Sequence, residues 1–176
     1  MNKLKLEELN RITELDFKLI SKNNFVLVLD SVRSLNNVGS VFRTADAFLA
    51  EKIYLCGITG TPPHRDIHKT ALGATDTVDW EHRDNISTLL QELKENQYHI
   101  IALEQTDQSI LLHQFEPRAD IKYAFVLGNE VDGVSDEALA LTDISVEIPQ
   151  FGTKHSLNVS VATGILVWDY ISKIDL

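Results

Sequence analysis

Short apolar runs alternate with amphipathic stretches along most of the chain. Residues 25–29 form a continuous apolar run, the pattern of a parallel strand buried on both faces. Further strands are predicted at 53–58, 76–80, 99–103, 123–127 and 144–148. Between them, Val41, Phe42, Ala45 and Phe48 share one side of a predicted helix at 38–48. Ile86, Leu89, Leu90 and Leu93 share one side of another at 86–96. A short helix is expected over 135–141 with Ser135 as its N-cap, and a closing helix over 156–171. At the start, Leu4, Leu9, Ile12, Leu15 and Leu19 recur at helical spacing and suggest an amphipathic helix within residues 1–22. Strands alternating with helices predict an α/β domain with a mostly parallel sheet and helices on both faces. Such sheets bind ligands beyond the carboxyl ends of their strands. That rule points to the loops after Leu29, Ile58, Leu127 and Ile148.

Composition narrows the classes. With 16 Lys and Arg against 26 Asp and Glu, the net charge is −10. This argues against a general nucleic-acid coat or a polybasic membrane binder, while leaving room for a local basic patch. The single cysteine, Cys56, has no partner for an internal disulfide and lies in an apolar run, so it reads as a buried thiol in a reducing, cytoplasmic setting. No apolar run approaches the roughly 20 residues that span a bilayer. The first residues carry charge where a signal peptide needs an apolar stretch. No repeat or Gly/Ser linker divides the chain, so a single domain over 1–176 is expected. Neither G-x-G-x-x-G nor G-x-x-x-x-G-K-[ST] occurs, so the usual phosphate cradles are missing. The nucleophile elbow G-x-S-x-G is missing too. His64 and His68 are four residues apart, but no H-E-x-x-H surrounds them, and no metal is expected.

Three segments carry more polar and glycine residues than their positions need. The first runs from Asn36 to Arg43, where strand becomes helix. Asn37 can cap that helix, and Gly39 lets a backbone or ligand come close. A solvated Arg43 is the plain alternative to a functional one. The second segment is Leu127-Gly128-Asn129-Glu130-Val131-Asp132-Gly133, at the ligand end of the strongest apolar strand. It reads as a tight loop that exposes its backbone, or as a simple turn. The third, from Ile148 to Ala162, runs from a polar loop into a helix. Ser156 could be its N-cap. Asn158 and Ser160 are poor helix formers in the same turn, a cost that a ligand or partner would explain.

Together these segments resemble the signature motifs of the SpoU-type (TrmH-like) RNA 2′-O-ribose methyltransferases of the SPOUT superfamily. Asn37, Gly39 and Arg43 match N-x-G-x-x-x-R. Gly128, Glu130 and Gly133 match G-x-E-x-x-G. Residues 148–162 match I-P-x-x-G-x-x-x-S-L-N-V-S-x-A. The resemblance covers roughly residues 24–171 and implies a carboxyl-terminal trefoil knot. It implies a homodimer with its active site near the interface, and S-adenosylmethionine as the methyl donor, with S-adenosylhomocysteine as product. RNA is the implied partner, tRNA favoured over rRNA; neither DNA nor membrane is expected.

By the same resemblance Arg43, Asn37, Glu130, Ser156 and Asn158 are the catalytic set. Leu127, Gly128, Ile148, Gly152, Ser156 and Leu157 are the cofactor-binding set. Arg33, Arg43, Arg65, Lys69 and Lys154 are candidate RNA contacts, with His64, His68 and His155 nearby. A guanidinium has no acceptor lone pair, so Arg43 is better suited to gripping a phosphate or stabilising an alkoxide than to acting as a base. Glu130 then positions Arg43 or Asn37. One departure is the run Arg33-Ser34-Leu35-Asn36, where relatives often carry D-P-x-N. The separate N-terminal RNA-binding domain of some relatives is not expected in this sequence. Three alternatives stay open: a non-catalytic RNA- or protein-binding module, another nucleotide-binding α/β enzyme, and a base methyltransferase of the same superfamily.

Overall fold

The computed structural model describes residues 1, 3–5, 12–154 and 156–174. Seven strands, β1 (Asn23–Asp30), β2 (Ala50–Cys56), β3 (Trp80–Arg83), β4 (Tyr98–Leu103), β5 (Ile110–Leu111), β6 (Lys122–Leu127) and β7 (Ile144–Glu147), form one sheet in the order β3-β2-β1-β6-β4-β7-β5. Every pairing is parallel. The strands at the centre are apolar throughout because side chains alternate and both faces are covered. Phe25, Leu27 and Leu29 of β1 pack with Tyr123, Phe125 and Leu127 of β6 in one core, while Val26, Val28, Ala124 and Val126 belong to the other. Helices α1 (Glu14–Leu19), α2 (Leu35–Ala47), α3 (Arg65–Ala71), α4 (Ala74–Thr77) and α7 (Val159–Ile174) contribute to the first core. Helices α5 (Ile86–Glu95) and α6 (Asp136–Leu139) cover the second. The α/β class, the parallel sheet and the helices on both faces are therefore as expected.

Helix α7 returns from the end of the chain to pack on α2 and on the sheet. Its Tyr170 is fully buried against Phe25 and Phe125, with ring centroids 5.3 and 5.2 Å away. Truncating a buried aromatic of this kind costs about 3–5 kcal/mol, so this cluster anchors the carboxyl-terminal helix. Beside it, α3 lies against α2 at Gly39, where a Cβ would run into the Ile67 carbonyl and Thr70 Oγ1. A side chain at position 39 would push the two helices apart. It is a backbone, not a ligand, that comes close there.

Several local expectations are corrected. Within the stretch 1–22, α1 begins only at Glu14, and residues 2 and 6–11 lie outside the described set, as does Leu9 of the predicted face. Its buried residue is Phe17, whereas Leu15 and Leu19 are 76% and 85% exposed. The leucine periodicity therefore marks an outward face. No element was expected between the strands at 53–58 and 76–80, yet α3 lies there, and His64 caps it by accepting the Asp66 N–H on Nδ1 at 3.1 Å. The strand predicted at 76–80 is α4 followed by β3. Helix α2 starts two residues before Asn37, and Ser34 caps it by accepting the Asn37 N–H at 3.3 Å. Ser135 sits at the N-cap of α6 but makes no side-chain cap bond. Helix α7 starts at Val159, and its cap is Asn158, not Ser156: Asn158 Oδ1 accepts from the Ser160 and Val161 N–H groups at 2.9 and 3.3 Å. Cys56 is buried as expected, and burial, reinforced by Asp30, pushes its thiol pKa up to about 12, so it is inert.

Candidate active site

Strand β6 lies between β1 and β4, so its carboxyl end opens at the middle of the sheet edge, where the strand order reverses. The loop that follows is a tight hairpin. Asn129 and Gly133 exchange backbone hydrogen bonds of 3.0 and 3.2 Å, and Asn129 Oδ1 accepts from the Val131 and Asp132 N–H groups at 3.0 and 2.9 Å. A Cβ at Gly128 would strike the Gly133–Val134 backbone, and Gly133 has φ +70°, so both ends of the turn demand glycine. The hairpin thereby presents Glu130 toward the start of α2.

Glu130 Oε1 accepts from Asn37 Nδ2 at 2.8 Å and from the Ser34 N–H at 3.2 Å, and Oε2 accepts from the Arg33 N–H at 3.2 Å. Asn158 Nδ2 donates to Asn37 Oδ1 at 3.1 Å. Asn158 Oδ1 also accepts from Ser160 Oγ at 2.6 Å. Three segments remote in sequence are thus joined by a continuous chain, Glu130–Asn37–Asn158–Ser160. Partial burial pushes the Glu130 pKa up. The Asn37 amide and the backbone N–H donors outweigh it, and the net shift is downward. Glu130 is a firm carboxylate at neutral pH and a poor proton acceptor.

Behind this chain lies a cleft of about 440 Å³. Its walls come from the loops after β4, β6 and β7 and from the approach to α7. The apolar part comprises Leu103, Leu127, Val131, Ile148, Leu157, Val159 and Ala162. The polar part includes the carboxylates of Glu104, Glu130, Asp132 and Glu147, and no Lys or Arg is among the described lining residues. Of the four loops singled out from the sequence, those after Leu127 and Ile148 line the cleft. The loop after Leu29 instead supplies the N–H groups that hold Glu130. The loop after Ile58 lines no part of the cleft; only Gly57, just before it, borders a separate pocket of about 130 Å³. The loop after Leu103, not singled out, does line the cleft.

Residues 24–168 match the sequence profile of the SpoU rRNA Methylase family. The chain belongs to the SpoU family. A 23S rRNA (guanosine-2′-O-)-methyltransferase, RlmB of Neisseria meningitidis, is 35% identical over 153 residues, covering 84% of this chain and 58% of the relative. The chain thus spans a little over half the length of this relative. Among solved structures, the TrmH/SpoU tRNA modifying enzyme of A. aeolicus superimposes with a TM-score of 0.78 at 28% identity, over 86% of this chain and 76% of that one. An AdoMet-bound rRNA methyltransferase of Sinorhizobium meliloti shares the fold with a TM-score of 0.80 at 24% identity, over 89% of this chain and 59% of the other. The SpoU fold implies a knotted carboxyl-terminal half.

Most residues that match the SpoU motifs converge. Leu127, Gly128, Glu130, Ile148, Ser156, Leu157 and Asn158 line the cleft, and Asn37 joins it through its hydrogen bonds. Gly152 does not line it; the residue is exposed, with open space around it. Arg43 is also off the cleft. It lies six residues along α2 from Asn37, about 9 Å along the axis and about 240° around it. Its side chain is exposed, without an ion pair among the described residues, and it makes no hydrogen bond with Glu130, whose partners are Arg33, Ser34 and Asn37. Arg33 pairs with Asp132 at 3.6 Å across exposed surface. Arg65 and Lys69 are exposed on α3, Lys154 is exposed in the loop before α7, and His155 lies outside the described residues. Sequence reasoning missed Glu104, Gln105, Glu147 and Gln150, which line the cleft. The signal available was their place at or just past the ends of β4 and β7. Among the described residues no group of three His, Cys, Asp or Glu side chains could hold a metal ion, and no helix is long and apolar enough to cross a membrane.

Proposed function

We propose that this chain is an S-adenosylmethionine-dependent RNA methyltransferase that transfers a methyl group to a ribose 2′-OH and works as a cytoplasmic homodimer. The observation that carries this reading is the Glu130–Asn37–Asn158 chain, which gathers the three SpoU motifs at the mouth of one cleft. The cleft fits the donor. Its apolar residues and exposed loop backbone suit an adenosine. Among the described residues the lining has no Lys or Arg and four carboxylates, of which only Asp132 pairs with a cation from outside it, and this suits a ligand that is positively charged and free of phosphate. The same charge pattern counts against ATP or NAD. Leu127, Gly128, Ile148, Ser156 and Leu157 would hold the donor. When bound, S-adenosylmethionine supplies an electrophilic methyl group on a sulfonium.

The protein's own part is orientation and charge. Glu130 stays ionised and fixes Asn37, and Asn37 in turn fixes Asn158 at the start of α7. Arg43 grips the phosphate of the target nucleotide and stabilises the developing 2′-alkoxide. Since neither Arg43 nor Glu130 is a suitable base, the 2′-OH proton goes to the RNA phosphate or to the Asn and Ser groups beside it. Arg43 reaches a cleft across the dimer. Helix α7 exposes Val161, Ile165 and Trp168 at helical spacing, and Trp168 lies 6.2 Å from the ring of Phe48 at the end of α2. This apolar face beside α2 suits a second copy, whose Arg43 then serves the neighbouring cleft. Arg33, Arg65, Lys69 and Lys154 extend the phosphate path.

tRNA is the favoured substrate, in keeping with the A. aeolicus relative's name; the N. meningitidis relative's name favours 23S rRNA as the second reading. The test is incubation with methyl-tritiated S-adenosylmethionine and either unmodified bulk tRNA or unmodified rRNA. Label in one RNA class at a link resistant to alkaline cleavage is the expected result. Donor binding without label in either RNA points to a binding module instead.

A further inference from the structure

Glu104 and Glu147 follow the paired positions Leu103 and Val146 on neighbouring strands, and the Glu104 N–H donates to the Val146 carbonyl at 3.0 Å. Both line the donor cleft, but their carboxylates are used differently. Glu104 Oε1 accepts from the Gln105 N–H and Oε2 from the Val134 N–H, each at 2.9 Å. It is a staple between the β4 and β6 loops. Glu147 accepts one hydrogen bond, from Ser109 Oγ to Oε2 at 2.9 Å, and its Oε1 has no hydrogen-bond partner among the described residues. Gln105 and Gln150 line the same cleft, and no hydrogen bond among the described residues uses either side-chain amide.

An unpaired carboxylate oxygen, two free amides and no lining cation complement one kind of group: an amino-acid zwitterion. Its ammonium has three donors for the carboxylate, and its carboxylate accepts from amide N–H groups. A phosphate in this place would face Glu147 without a counter-charge. We propose that Glu147, oriented by Ser109, takes the α-ammonium of the methyl donor, and that Gln105 and Gln150 take its carboxylate. Glu147 is thus a specificity determinant of the cleft and Ser109 a positioning residue. The proposal rests on the reading of this cleft as the donor site.

Calorimetric titration of the intact protein tests it with three ligands: S-adenosylmethionine, S-adenosylhomocysteine, and 5′-methylthioadenosine, which lacks the amino-acid head. In Glu147→Gln the first two are expected to weaken about tenfold or more, with methylthioadenosine changed by less than about twofold. Ser109→Ala keeps the carboxylate and is expected to weaken the same two ligands by a smaller factor. Unchanged affinity for the two headed ligands overturns the assignment. So does an equal loss of all three, which would report a change in cleft shape. Failure of the unsubstituted protein to bind any of them overturns the donor-site reading itself, and it is seen before any substitution is made.

Discussion

The cleft and the α2–α3 surface differ in the charged residues they present on the same small chain. Four carboxylates and no described Lys or Arg line the cleft. Exposed Arg43 on α2, with exposed Arg65 and Lys69 on α3, marks the contrasting surface. On a chain of net charge −10, these exposed cations are where the proposed function brings the RNA. On the proposed function, the difference assigns two substrates of opposite charge to different elements. Helix α2 is the part they share. Its first turn carries Asn37 into the cleft network, and its exposed side carries Arg43. Gly39, between them, lets α3 bear directly on α2.

The strongest challenge to this division is Arg43→Ala. Methyl transfer is expected to fall by about 10²–10³-fold, the usual loss when a donor to a developing oxyanion is removed. Donor affinity by calorimetry is expected to stay unchanged. If both fall together, the two regions are not separate. A smaller effect is expected for Glu130→Gln, which weakens the hold on Asn37 and on the Arg33 and Ser34 N–H groups: about 10-fold in rate, from one charge-assisted hydrogen bond.

The sign of its pH dependence follows from the lowered Glu130 pKa. A carboxyl group depressed in the folded state adds stability above its unfolded value, and that stability is lost as pH falls through the folded value. The network should therefore hold from neutrality down to about pH 4, where ordinary carboxylates protonate, and give way only below it. An Asn37 side-chain amide signal that shifts between pH 7 and 5 in an NMR titration would contradict this.

The smallest effect is expected for the double variant Arg65→Ala and Lys69→Ala. RNA binding should weaken several-fold, and the slope of log affinity against log salt should fall by about 1–2. Donor affinity should not change. An unaltered salt slope removes α3 from the RNA path.

Much of the fold was legible because burial leaves a periodic trace. The continuous apolar runs of β1 and β6 and the stripe Ile86, Leu89, Leu90 and Leu93 on α5 are each where the pattern placed them. The failures share a cause. Helices α3 and α4 are one or two turns long, too short for a period to show, and β5 has two residues. The leucines near the start have a helical period, yet Phe17 is the residue that packs. Periodicity marks an apolar face without saying what covers it. Caps were misplaced by a few residues because Ser34, Asn37, Ser156 and Asn158 are all competent cap residues, and only backbone geometry chooses among them.

By itself, then, the order of residues determined the α/β class, the buried strands and the three polar, glycine-bearing segments. These are local matters of side-chain period and of residues whose backbone preferences conflict with a plain helix or turn. Tertiary structure alone decided that Glu130, Asn37 and Asn158 share one hydrogen-bonded chain, across separations of 93 and 121 residues. It also decided that Arg43 is exposed off the cleft and that Glu104, Gln105, Glu147 and Gln150 line it. Such pairings depend on β6 lying between β1 and β4 and on α7 returning to α2. No local pattern encodes those crossings, because they are settled by which apolar faces cover one another.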